Sequence, residues 1–283
     1  MVSFELEARG PFSLAESARF AGGFSPTAHS IDVERGELDI AFVPDGAERA
    51  VHVHVREGGD GVVAECDGEP GAPARDQLAR ILALDVDATE FTDIGRRDPV
   101  VHELQLRWPG FRPISFPSPF EAGAWFLISQ RTRFSHALAV KERLAAEYGT
   151  DFGVVKAFPA PALVADLPPV EGLPEVKRDR LRALARAATQ GLLHGEHLRS
   201  LGPQTAIDEL KRLPGVGDFT AQGIVVRGAG DPDWAPLAEP RLALAVERAY
   251  SLTQPPSPEQ IAEIADGWRP FRSWVSVLLR RTV

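Results

Sequence analysis

The chain has 283 residues, 44% hydrophobic and 25% charged, with a formal net charge of −9 at pH 7. That balance is ordinary for a globular protein and argues against disorder or a coiled coil. A lone cysteine, Cys66, excludes an internal disulfide and any four-cysteine zinc or iron–sulfur site.

Apolar runs stay far short of the roughly 18 residues a membrane span needs. Met1 leads into VSFELEARG without the basic region and apolar core of a leader, so a soluble, cytoplasmic protein is expected. The charge is unevenly spread. Residues 1–108 hold 10 Lys and Arg against 21 Asp and Glu, while residues 109–283 hold 21 against 19. The first part is unsuited to phosphates; the second suits them if its cations cluster.

Residues 1–82 read as an α+β unit. Phe4 to Glu7 alternates, a short helical pattern runs through Ala15, Ala18 and Phe20, and period-two alternation recurs over 37–43, 51–55 and 62–66. A small antiparallel sheet with one or two covering helices is predicted, followed by a turn or linker at 67–74. From Asp76 the periodicity turns helical. Helices are predicted over 77–84, 120–130, 134–148, 176–190, 204–213, 219–227, 240–251, 258–266 and 271–281. Ser257, Pro258 and Gln260 have capping-box spacing with proline at the first helical position. The fold class is therefore α+β: an N-terminal sheet domain over 1–82, then a mostly helical body over 83–283.

The stretch Leu210 to Ala221 reads LKRLPGVGDFTA. A helix ends at Leu213, a Pro-Gly-Val-Gly turn follows, and a second helix starts near Asp218, a suitable cap. Gly215 and Gly217 remove side chains at the turn, so their amides are open to an anion beside a helix start. This is a helix-hairpin-helix over 204–227, a motif that grips DNA phosphates without reading sequence. The other reading is an ordinary helix corner. A dinucleotide-binding loop fits poorly, because a helix precedes the turn and Thr220 stands at the third glycine position.

With the hairpin in place, the chain resembles the helix-hairpin-helix DNA glycosylase superfamily, and within it the bacterial 3-methyladenine DNA glycosylase II (AlkA-like) group. The resemblance also rests on Phe116-Pro117-Ser118-Pro119-Phe120-Glu121-Ala122 through Gln130, on Phe158-Pro159-Ala160-Pro161, on the 177–191 helix and on Trp268-Arg269-Pro270-Phe271-Arg272-Ser273-Trp274. It covers about residues 100 to 283, and the acidic N-terminal part is similar to that group's accessory domain.

The resemblance implies excision of a damaged base from double-stranded DNA, with the nucleotide flipped out because its glycosyl bond is inaccessible in the stack. A carboxylate is needed to stabilise the oxocarbenium-like sugar. The family's catalytic Asp follows the second hairpin helix in a pattern matched here by Pro236-Leu237-Ala238-Glu239-Pro240-Arg241-Leu242, which places Glu239 at its position. Pro240 suits a first helical residue, so Glu239 falls at or beside an N-cap, where the helix dipole favours its ionised form. Glu is one methylene longer than Asp. Asp231 and Asp233 are alternatives in the preceding turn.

The resemblance further implies a base pocket built on Phe219, where the family usually has Trp, with Trp125, Phe126, Trp234 and Trp274 as other aromatic candidates. Gly223 stands where a Tyr is expected, and Arg280 aligns with a stacking Trp. Lysine is absent at position 219, which implies a monofunctional hydrolase rather than a lyase. Gly215, Val216, Gly217, Phe219, Thr220, Gln130 and Arg131 are the expected DNA contacts, with Arg131 as the wedge in the vacated stack. The carbonyls of Lys211, Leu213 and Val216 are the expected seat of a sodium or potassium ion; no other cofactor is required.

His52 with His54, and His194 with His197, have spacing for a metal but no carboxylate or cysteine placed nearby, so no metal is expected there. The implied protein is a monomeric, nucleoid-associated glycosylase for alkylated purines, with no obligate protein partner and no membrane association. Two other readings remain: a weak or inactive relative that binds damaged or structured DNA, and an interaction module whose acidic domain meets a basic partner.

Overall fold

The computed structural model describes residues 1–22, 30–32, 36–68 and 70–283. The N-terminal part runs β1 (Val2–Glu7), α1 (Leu14–Gly22), β2 (Ser30–Asp32), β3 (Glu37–Phe42), β4 (Val51–Gly58), β5 (Gly61–Cys66) and α2 (Ala72–Ile81). Its strands form an antiparallel sheet in the order β1-β5-β4-β3-β2. The alternation seen in the sequence sends Leu38, Ile40, Val53, Val55, Val62 and Ala64 to one face. There they meet Leu14 and Ala18 of α1 and Leu78 and Ile81 of α2. The short strand β2 is an addition to the predicted set, too brief to show a period. The expected linker at 67–74 already holds the start of α2.

The rest is helical: α3 (Phe91–Arg97), α4 (Pro99–Arg107), α5 (Pro119–Ser129), α6 (Phe134–Tyr148), a minimal hairpin of β6 (Thr150–Asp151) and β7 (Lys156–Ala157), α7 (Pro161–Ala165), α8 (Glu175–Thr189), α9 (Gly195–Ser200), α10 (Pro203–Leu210), α11 (Asp218–Gly223), α12 (Pro240–Ala249), α13 (Pro258–Asp266) and α14 (Arg272–Arg280). A π-helical turn, Ile224–Gly228, continues α11. The predicted capping box opens α13, with Ser257 and Gln260 each serving the other's backbone amide. No helix among the described residues is long and apolar enough to cross a membrane.

Two hydrophobic clusters organise this helical part. One draws on residues 116–229 and is centred on α5, α8 and the hairpin helices. The other joins α3 and α4 to the distant α12, α13 and α14 around Trp268, Phe271 and Trp274. Asp98 helps close the second. One of its oxygens caps α4 at the amides of Val100 and Val101. The other accepts from the Tyr250 hydroxyl at 2.6 Å and the Trp268 indole at 3.3 Å.

Buried arginines pin the parts together. Arg112 is fully buried and donates to the carbonyls of Arg9, Pro11, Ala83 and Val86. Arg80 donates to Gly228 O at 2.7 Å and to Asp45 at 2.9 Å, tying α2 to the end of the π-helical turn. Both side chains satisfy carbonyls that would otherwise be buried without a donor.

Candidate active site

The hairpin forms as its residues dictate. Gly215 adopts φ +79°, the left-handed region that favours glycine, and a Cβ there would lie 2.3 Å from Arg180 Cδ. The N-cap of α11 is Gly217, not Asp218. Asp218 instead sits in the first turn and pairs across the hairpin with Lys211 Nζ at 2.5 Å. That bond keeps the Lys211 ammonium above its ordinary pKa.

Gln130, at the C-terminal end of α5, is committed to this hairpin. Its Nε2 donates to Gly215 O at 2.9 Å and Thr220 Oγ1 at 3.1 Å, while its Oε1 accepts from Arg180 at 3.1 Å. Thr220 is buried. Gln130 and Thr220, expected as DNA contacts, thus have their side chains turned inward to hold the hairpin, and Val216 is buried. Gly215, Gly217 and the exposed Phe219 stand at the turn itself.

Arg131 follows immediately, exposed and at φ +50°. A non-glycine residue in that region needs support. Lys177 of α8 supplies it, donating to Ile128 O at 2.6 Å, Gln130 O at 2.7 Å and Thr132 Oγ1 at 2.5 Å. All three ammonium donors are used. Burial, with Arg180 nearby, lowers the pKa of this lysine.

Beside the hairpin a cavity of about 540 Å³ opens between α11, its π-helical continuation and α14. Phe126, Phe219 and Trp234 give it aromatic surface, and Glu239 lines it with Arg280. The Phe126 and Phe219 rings stand at 90° with centroids 5.6 Å apart. Gly223 explains their placement: a Cβ there would sit 2.4 Å from the Phe126 ring, so Phe126 occupies the space that the missing side chain leaves.

Glu239 is the N-cap residue of α12, and its carboxylate makes no cap hydrogen bond. Both its oxygens instead accept from Arg280 Nη1, at 2.7 and 3.0 Å. The side chain is 16% exposed, at the cavity wall. The alternatives are engaged elsewhere. Asp233 binds Arg272 at 2.8 and 3.0 Å and caps its amide. Asp231 is buried, accepts from the Asp233 amide and is raised in pKa by desolvation. Neither lines the cavity.

Two expected pocket residues are corrected. Trp125 is 4% exposed and packs in the core edge-on to Phe134. Trp274 is 1% exposed, against Phe91 and Phe271. Trp125 lies on α5, a helix buried on nearly every side, and Trp274 on the buried face of the amphipathic α14. Cavity residues that sequence reasoning missed are Phe20, Arg227, Gln222 and Ser276. Phe20 comes from α1 of the N-terminal part, so no local pattern near the hairpin signals it. The indole nitrogen of Trp234 and the hydroxyl of Ser276 are buried without a hydrogen-bond partner.

The histidine expectation also changes in one respect. Strand pairing sets Asp39 beside both His52 and His54, with its Oδ1 2.7 Å from His52 Nε2 and 3.2 Å from His54 Nδ1. A carboxylate is therefore present. Among the described residues, even so, no group of three or more such side chains is arranged to hold a metal ion.

No family model matches the chain. Over 209 residues it is 24% identical to a DNA-3-methyladenine glycosylase of Bacillus subtilis, covering 71% of this chain and 69% of that one. Over 255 residues it is 26% identical to DNA-3-methyladenine glycosylase 2 of Escherichia coli, covering 87% and 82%. Among solved structures, a 3-methyladenine DNA-glycosylase from Archaeoglobus fulgidus matches with a TM-score of 0.78 at 22% identity, covering 99% of this chain and 97% of that one. In fold and sequence, the chain is similar to DNA-3-methyladenine glycosylases, as the AlkA-like resemblance led one to expect.

Proposed function

We propose that the protein is a monofunctional DNA N-glycosylase that flips damaged purines, alkylated ones among them, out of duplex DNA and hydrolyses their glycosyl bond. The observation that carries this reading is a carboxylate, Glu239, set at a helix N-terminus in the wall of an aromatic cavity beside the hairpin. A purely binding role would not call for a carboxylate there.

In this reading the backbone of Gly215 and Gly217 takes a DNA phosphate. Arg131, held outward by the Lys177-braced turn, fills the stack that the flipped nucleotide leaves. The purine enters between Phe126, Phe219 and Trp234. As the bond between C1′ and the base nitrogen breaks, its electron pair leaves with the base and positive charge develops on the sugar. The Glu239 carboxylate stabilises that charge electrostatically. Water then adds at C1′ and loses a proton. Position 219 holds Phe, so no amine is available there for a Schiff base.

The carbonyls of Lys211, Leu213 and Val216 suit a sodium or potassium ion. Those of Lys211 and Val216 accept no hydrogen bond from described residues, while that of Leu213 takes one from the Val216 amide. Such an ion would stiffen the hairpin backbone.

Base release from methylated duplex DNA by the wild type and by Glu239→Gln tests the reading. Release by the wild type and a loss of about 100-fold or more in the variant are expected. Equal release by both would remove Glu239 from the chemistry. No release by the wild type would remove alkylated purines from the reading.

A further inference from the structure

The cavity wall carries five arginines, Arg19, Arg227, Arg241, Arg280 and Arg281, against one acidic side chain, Glu239, among the described residues. Three are occupied away from the carboxylate. Arg19 pairs with Glu16, Arg241 donates to the Val283 carbonyl, and Arg281 lies over the rings of Phe20 and Trp108. Arg280 is different. Its Nη1 serves both oxygens of Glu239 and its Nε reaches Ser276 O at 3.3 Å, but its Nη2 makes no hydrogen bond among the described residues. The Arg280 side chain is 27% exposed, so that donor is open to a ligand. Arg227 stands close behind. Burial and the Arg280 charge push it down to about 9, which leaves it charged at neutral pH.

We infer that this site is built for damaged purines that are neutral within DNA and depart as anions, with Arg280 stabilising the departing base; the inference rests on the glycosylase reading above. The chemistry follows from where charge appears. When a neutral purine leaves, the electron pair of its glycosyl bond goes with it, so the sugar becomes positive and the base negative. Glu239 and Arg280 form a fixed dipole of matching sense, one charge for each fragment, with no reorganisation needed at the moment of reaction. Water then adds its oxygen to C1′, its proton passes by way of Glu239 to solvent, and the base anion takes a proton from solvent, so that the sum is hydrolysis. A cationic N-alkylpurine leaves as a neutral molecule and has no use for the guanidinium. It is also repelled by the arginine-lined wall, where charges interact more strongly than in water.

The test uses two oligonucleotide duplexes, one with hypoxanthine and one with 7-methylguanine, under single-turnover conditions, each rate divided by spontaneous loss of the same base. The wild type is expected to enhance hypoxanthine release at least about 10-fold more than 7-methylguanine release. Arg280→Gln also releases Glu239, so both enhancements should fall, but the hypoxanthine enhancement should fall about 10- to 100-fold further than that for 7-methylguanine. Arg280→Lys, which keeps the charge, should restore most of the difference. Equal losses on both substrates in Arg280→Gln would mean that Arg280 only holds Glu239, and would overturn the inference. So would a wild type that favours 7-methylguanine, and that outcome would leave the glycosylase reading intact. Release of neither base would overturn both.

Discussion

Arg112 illustrates how much one residue carries here. Its guanidinium is fully buried and its donors reach main-chain carbonyls of two separate segments, residues 9–11 and 83–86. Burial pushes it down to about 10, so it is charged throughout the neutral range. Replacing it by leucine removes every donor at once and leaves those carbonyls buried. A loss of about 3 kcal/mol or more is expected in urea unfolding, read as a lower midpoint with unchanged slope. Glu239 shows the complementary case. Its extra methylene relative to aspartate is matched by an Arg280 partner that holds both carboxylate oxygens. The longer side chain is thereby fixed in direction, which is what its proposed action on a developing charge requires.

The elements around the hairpin work as one assembly. α5 ends in Gln130, whose amide reaches Gly215 and Thr220, and α8 contributes Arg180 to Gln130 and Lys177 to the turn that carries Arg131. Gly215→Ala places a methyl against Arg180 at a left-handed backbone position. It is expected to cost more than about 1 kcal/mol in stability and to weaken duplex binding, measured by fluorescence anisotropy. Lys177→Met deletes three hydrogen bonds to the end of α5 and the following turn. A stability loss of about 1–3 kcal/mol is expected. Amide exchange should accelerate across residues 129–133, where the freed turn relaxes, and stay unchanged in the N-terminal sheet.

At the scale of the molecule, the acidic surplus lies in the first 108 residues while the hairpin, α8 and the cavity bring together cations from the remainder. A net charge of −9 therefore does not describe the face proposed to meet DNA. If about four phosphates are neutralised, affinity for duplex should fall on the order of 100-fold between 50 and 200 mM salt. A salt-independent affinity would contradict a phosphate-gripping face. The N-terminal part also contributes directly to the cavity through Phe20, whose ring packs edge-on against Phe111 and under Arg227. Its sheet is thus connected to the site and is more than a cover.

Local chemistry was enough to reveal several features from the sequence alone. Turn residues and hydrophobic spacing specified the α6 and α13 boundaries, the alternating strands of the sheet, and a hairpin at the Pro-Gly-Val-Gly turn. Each is set by residues within a few positions of one another, where backbone preference and periodicity act. The position of Glu239 at a helix start was legible for the same reason, from Pro240 beside it. Other features were decided only by packing between distant segments. The sequence does not show that Trp125 and Trp274 face the core while Phe126 and Trp234 face the cavity, because all four are large aromatics in apolar surroundings. Nor does it show that α3 and α4 share a core with α12 to α14 across more than a hundred residues of chain. The Arg280–Glu239 pair belongs to this second class. Two charges 41 positions apart are neighbours only because α12 and α14 fold together, and that contact gives the cavity its electrostatic character.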